Sequence, residues 1–157
     1  MDFRTIQGNP VDASICPFIA IVVNDAHATV NSIYRGDDAA TILHKHGKHT
    51  QRELYDTLPA GTANPPGFST HELKSDGVAY PWIPRGHSLL WWMQGFDVND
   101  SDVPHVKYQA LTHGWHLFQP YPGGVEFHHL NFAAEPKTRN PMTLSRIARI
   151  RRTYLRS

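Results

Sequence analysis

Glu126-Phe127-His128-His129-Leu130-Asn131-Phe132 carries two histidines and a carboxylate within an alternating pattern. Aromatic and apolar residues alternate with polar ones, and Gly123-Gly124 supplies a turn just before it, so it reads as a β-strand. Two adjacent histidines, with a carboxylate three residues before the second, are unusual on a strand meant only for packing. His129 offers a neutral ring nitrogen to a metal, and Glu126 offers a general base beside it. For this stretch alone the blander reading competes: one solvated face histidine and one hydrogen-bonded core histidine.

Working outward, Trp115 to Tyr121 reads as a partner strand, joined through Pro122-Gly123-Gly124 into a hairpin. Before it, Met93 to Val98 reads as a buried strand, Met-Gln-Gly-Phe-Asp-Val. Asp97 sits there between apolar neighbours, and an unpaired buried charge is expensive. A metal or an arginine would be its partner. Between these strands Asn99 to Asp102 starts a helix, with Ser101 or Asp102 as N-cap. Val103, Val106, Ala110 and Leu111 share one face of it, and His113-Gly114 stops it.

In the first half, Gly8-Asn9-Pro10 marks a turn. Ile15, Phe18, Ile19, Val22 and Val23 recur at spacings of three and four, which predicts a helix between Asp12 and Ala28 despite the β-branched content. Thr29 to Arg35 reads as a short strand, with Val30, Ser32 and Tyr34 on one face and Asn31, Ile33 and Arg35 on the other. Ala39 to Leu43 makes about one helical turn. His44, His46 and His49 follow in a loop broken by glycine and lysine, which favours a solvated loop over a metal tract. Thr50-Gln51-Arg52-Glu53 is a capping box that opens a helix over Gln51 to Leu58. Pro59 to Gly67 is a stiff, turn-rich loop that aims Ser69, Thr70 and His71.

A chain of 157 residues is one domain by size and buries a core without covalent staples. The single cysteine, Cys16, excludes an intrachain disulfide and a cysteine zinc knuckle, so a metal must be held by His, Asp or Glu. Eleven histidines fit such a site. A net charge of +1 gives no reason to expect nucleic acid as a partner. The most apolar run, Pro17 to Val23, is far too short to span a membrane, and the N-terminus lacks the pattern of a secretory signal. Ser75 to Trp92, rich in proline and aromatics, reads as an ordered insertion beside the cleft. Met142 to Leu155 reads as a basic amphipathic helix with a solvated face, or one that contacts an anionic surface or a partner chain.

Taken in order, these pieces resemble the zinc peptidoglycan peptidases: D-alanyl-D-alanine carboxypeptidases, the dipeptidases of vancomycin resistance, and L-alanyl-D-glutamate endolysins of phages. Ser32-Ile33-Tyr34-Arg35 is similar to the family's strand ending in Tyr-Arg. Asn64 to His71 matches its loop and Ser-x-His, and Gln94 to Val98 matches its Ala-x-Asp, with Gly95 in place of alanine. Glu126-Phe127-His128-His129 matches Glu-x-Trp-His, with His128 in place of tryptophan. The likeness covers about residues 28–132 in the family's order. It departs in two places: Lys74 stands where the family has glycine, and 25 residues separate His71 from Asp97, far more than the family spacing.

The resemblance implies zinc held by His71, Asp97 and His129. Asp76 and Asp100 compete for the middle position, and the apolar strand favours Asp97. It implies Glu126 as general base, Arg35 as substrate contact and oxyanion stabiliser, and Ser69 and His128 as substrate or supporting contacts. It implies an α+β fold, a small antiparallel sheet carrying the site with helices on one face. Residues 1–136 would form the peptidase-like domain and 137–157 a basic helical tail. The expected partner is bacterial peptidoglycan, with the tail available to virion proteins. The expected setting is a phage lysin or virion-borne wall hydrolase. The alternative is a non-enzymatic virion or wall-binding module that keeps the zinc fold.

Overall fold

The computed structural model describes residues 2–73, 94–113, 117–119, 122–124 and 126–131. They form an α+β arrangement of two small antiparallel sheets and four α-helices. The insertion read across Ser75 to Trp92 and the basic segment Met142 to Leu155 lie outside the described residues.

The chain opens with a hairpin, β1 (Phe3–Ile6) against β2 (Asn9–Asp12), in register Phe3↔Asp12 to Ile6↔Asn9. Gln7 and Gly8 form its two-residue loop, both at positive φ (50° and 78°). This corrects the turn read at Gly8-Asn9-Pro10, since Asn9 and Pro10 lie within β2. Gln7 holds its left-handed backbone while its side chain bridges to the next strand. Its amide donates to the Ala28 carbonyl at 2.9 Å and accepts from the Val30 N–H at 2.9 Å.

Helix α1 (Cys16–Asp25) follows, with Pro17 in the first turn, where a missing N–H leaves no bond unmade. Ile19, Val22 and Val23 are buried, so the three-and-four spacing outweighs β-branching. The second sheet has the order β3 (Val30–Ser32), β4 (Gly95–Val98), β5 (His129–Asn131). A register irregularity between Val30 and Ser32 breaks the alternation expected through Arg35. Val30 and Ile33, predicted on opposite faces, therefore enter the same core, while Tyr34 is buried in a separate cluster with Ala39 and Leu43.

β4 pairs β5 as Gly95↔Asn131, Phe96↔Leu130 and Asp97↔His129. Successive strand residues face opposite sides. Phe96, Val98 and Leu130 therefore enter the core with Val30, α1 and the last helix, while Asp97, His129 and Asn131 face the other way. That last helix among the described residues, α4 (Val103–Thr112), buries Val103, Val106 and Ala110 and packs on α1. Leu111, read as part of the buried face, is 55% exposed. Asp102 stands at the N-cap position without capping by its side chain. Its carboxylate accepts instead from the Thr29 N–H at 2.9 Å and ties the helix start to the approach of β3.

Two short helices follow β3, and the second lines the site. A 3₁₀ turn (Asp37–Ala39) leads into α2 (Ala40–Lys45). α3 (Gln51–Thr57) begins with the predicted capping box: the Glu53 N–H donates to Thr50 Oγ1 at 3.2 Å, and the Thr50 N–H donates to Glu53 Oε1 at 3.0 Å. Glu53 also meets His44 Nε2 at 2.7 Å on the surface. Its carboxyl is held at about 2, first by that contact and then by Thr50. His44, which lies in the last turn of α2 rather than in a loop, His46 and His49 are all exposed. Among the described residues, no metal-holding group forms there.

Candidate metal centre

Each residue of the centre is placed by a different element. His71 lies in a 3₁₀ turn (Thr70–Glu72) that follows the stiff Pro59–Gly67 loop. Ser69 caps this turn, its Oγ accepting from the His71 N–H at 3.1 Å. The Glu72 carboxylate reaches back to accept from the Gly67 N–H at 2.9 Å, closing the loop. Asp97 and His129 face each other across the β4–β5 ladder. Adjacent strands put such partners within side-chain reach.

Three buried ligand atoms meet. His129 Nδ1 is 2.7 Å from Asp97 Oδ1 and 3.1 Å from His71 Nε2, and His71 Nε2 is 3.3 Å from Asp97 Oδ1. Ligands about 2.0–2.2 Å from a tetrahedral metal stand about 3.3–3.6 Å apart. The two contacts of His71 Nε2 are near that spacing, and the 2.7 Å contact of His129 with Asp97 is a hydrogen bond that would open slightly to admit a metal. His71 is oriented for the task. Its Nδ1–H donates to the Ile33 carbonyl at 2.6 Å, which leaves the Nε2 lone pair turned toward Asp97 and His129. The buried group His71, Asp97 and His129 could hold a metal ion.

Protonation states fit as well. Burial pushes His71 down to about 4, and the Arg35 guanidinium pushes the same way, against the pull of Asp97. For Asp97, burial pushes the carboxyl up. Its interactions with His71 and His129 outweigh it and hold it well below the usual carboxylate range. At neutral pH this gives an uncharged imidazole beside an ionised carboxylate, the forms that bind metal.

A cleft of about 730 Å³ opens over the group. Leu54, Leu58 and the loop from Ala60 to Asn64 form one wall, and Glu126 and His128 form the other. Arg35 and Ser69 also line it. Arg35 is anchored through its backbone: its N–H donates to the His71 carbonyl, and its carbonyl accepts from the Gln51 N–H at 2.7 Å.

The strand read from Glu126 onward starts later than expected. The strand begins at His129, and Glu126 to His128 form a turn in which the His129 N–H donates to the Glu126 carbonyl at 3.0 Å. This places Glu126 at the strand entrance, where the three-residue offset no longer sends it to the opposite face from His129. His128 is half-buried, with Nε2 3.9 Å from Asp97 Oδ2 and Nδ1 3.7 Å from Asp100 Oδ1. These are electrostatic contacts rather than hydrogen bonds. Asp100 stands outside the three-residue group, and Asp76 lies outside the described residues. Of the partner strand read at Trp115 to Tyr121, Phe118 pairs with Asn131 on the far side of β5.

Sequence reading gave Thr70 and Asn131 no role in the site and took Gly95 only as a stand-in for alanine. A Cβ on Gly95 would stand 2.7 Å from His129 Cε1 and 2.8 Å from Asn131 Oδ1, so only glycine fits there. Asn131 sits two residues from His129, and the period of a strand already puts the two on one face.

Comparison with protein-family models, with curated proteins and with solved structures finds no match.

Proposed function

We propose that the chain is a zinc-dependent peptidase that cleaves peptidoglycan stem peptides. It would be of the D,D-carboxypeptidase or L-Ala-D-Glu endopeptidase type, acting as a phage lysin or virion-associated wall hydrolase. The observation that carries the reading is the buried His71, Asp97 and His129 group at a cleft also lined by Glu126 and Arg35. Two imidazoles and a carboxylate suit zinc and also ferrous iron. A further carboxylate in the same cleft, which hydrolysis uses as a base, favours zinc. The substrate class follows from the ordered resemblance of residues 28–132 to the zinc peptidoglycan peptidases.

Zinc, when bound, acts as a Lewis acid and lowers the pKa of water. The chain supplies the rest. Glu126 takes the proton of the attacking water and passes it to the leaving amine. Arg35 meets the negative charge that develops on the carbonyl oxygen. The wall of Leu54, Leu58 and Ala60 receives the apolar part of the peptide. Among the described residues no helix is long and apolar enough to cross a membrane.

Metal analysis, together with release of new amino termini from purified peptidoglycan, tests the reading. Glu126→Gln keeps the shape of the side chain and should retain zinc while losing about 10²–10⁴-fold in rate. His129→Ala should lose both. Hydrolysis by Glu126→Gln at the wild-type rate would refute the assigned base. Bound zinc without any cleavage by the wild-type protein would leave a wall-binding or virion module instead.

A further inference from the structure

We infer that Thr70 is a positioning residue that selects which ring nitrogen of His129 faces the metal. The inference rests on the metal reading above and deepens it. Thr70 Oγ1 lies 3.1 Å from Asn131 Oδ1 and 3.1 Å from His129 Nε2, and all three residues are buried. The Asn131 carbonyl oxygen accepts only, so the Thr70 hydroxyl donates its proton there. Towards His129 the same oxygen then has only lone pairs, and His129 Nε2 must carry the hydrogen. Nδ1 shares a hydrogen with Asp97 Oδ1 at 2.7 Å in the metal-free protein; when a metal displaces that hydrogen, the lone pair is freed on Nδ1, the nitrogen 3.1 Å from His71 Nε2.

Asn131 anchors the far end of the relay. Asn131 sits on β5 two residues from His129 and on the same face, and its backbone is held on both sides. Gly95 pairs with it from β4, and Phe118 exchanges hydrogen bonds with it at 2.7 and 2.9 Å. Gly95 leaves the space in which Thr70, His129 and Asn131 meet. His71 is handled by a separate device, its Nδ1–H on the Ile33 carbonyl. The two histidines thus present different nitrogens, Nε2 from His71 and Nδ1 from His129, each because its other nitrogen is occupied.

Thr70→Val keeps the shape and removes the hydroxyl, while Thr70→Ser keeps the hydroxyl. Zinc affinity is read by competition with a chromophoric chelator, with folding checked by circular dichroism. Thr70→Val should bind zinc about 10–100-fold more weakly, and Thr70→Ser should restore affinity to within a few-fold. In the zinc-loaded wild-type protein, ¹⁵N spectra of the histidine rings should show His129 protonated at Nε2 and metal-bound at Nδ1. This measurement does not depend on any variant folding. Wild-type affinity in folded Thr70→Val, or His129 metal-bound through Nε2, overturns the inference while leaving the metal reading intact. Failure of the wild-type protein to take up zinc overturns both.

Discussion

Replacing Gly95 with alanine puts the crowding around His129 to a quantitative test. The added methyl would stand 2.7 Å from His129 Cε1 and 2.8 Å from Asn131 Oδ1. Carbon atoms pack best about 3.5–4.0 Å apart, so the first contact is short by about 0.8 Å or more. Neither neighbour can yield easily. His129 is held by Asp97 and Thr70, and Asn131 by the strands on both sides. Overpacking of this kind costs about 1–3 kcal/mol. For a chain of this size that lowers the melting temperature by roughly 2–12 °C. The displaced ring should also weaken zinc binding by about 10-fold or more, as loss of support around a ligand does. Differential scanning calorimetry and chelator competition measure the two effects. The resembled family carries alanine at this position, so sequence matching alone would rate the change as neutral. Melting temperature and zinc affinity both equal to wild type would refute the packing argument.

The remaining predictions concern protons and the helix start. His71 binds its proton near 6.5 when unfolded and at about 4 when folded. Between those values the unfolded chain holds more protons, so the stability of the metal-free protein should fall as pH drops through that window. Asp97, depressed in the folded state, adds to the loss at lower pH. Urea midpoints measured from pH 7 to pH 4 should decline, and a flat profile would contradict the burial of an uncharged His71. Thr50→Ala removes the side chain that caps α3 and should cost about 1 kcal/mol, or roughly 2–4 °C, without changing zinc affinity. A change in affinity there would mean that the helix start also holds the site.

The strongly patterned elements were legible in the sequence. α1 followed from its apolar spacing, α3 from its capping box, and β4 from a carboxylate set between apolar neighbours. His71, Asp97 and His129 were named from residue type and order, and the structure brings them together. What escaped depends on contacts distant in the chain. The hairpin loop at Gln7 is stabilised by side-chain bonds to Ala28 and Val30, which no local propensity reports. The irregularity in β3 depends on pairing with a strand more than sixty residues away. The roles of Thr70 and Asn131 emerge only once β5 is laid beside β4 and the loop before His71 is folded over them.

β4 also limits how this chain can change. Its four residues serve two masters in strict alternation, Phe96 and Val98 for the interior and Gly95 and Asp97 for the cleft. Loss or gain of one residue in that strand would turn every side chain over. Phe96 would enter the polar cleft, and Asp97 would be driven among Val30, Val106 and Leu130. Stability and chemistry would then be lost in one step, with no intermediate that keeps either. Changes of length are therefore confined to the connections, such as the one between His71 and β4.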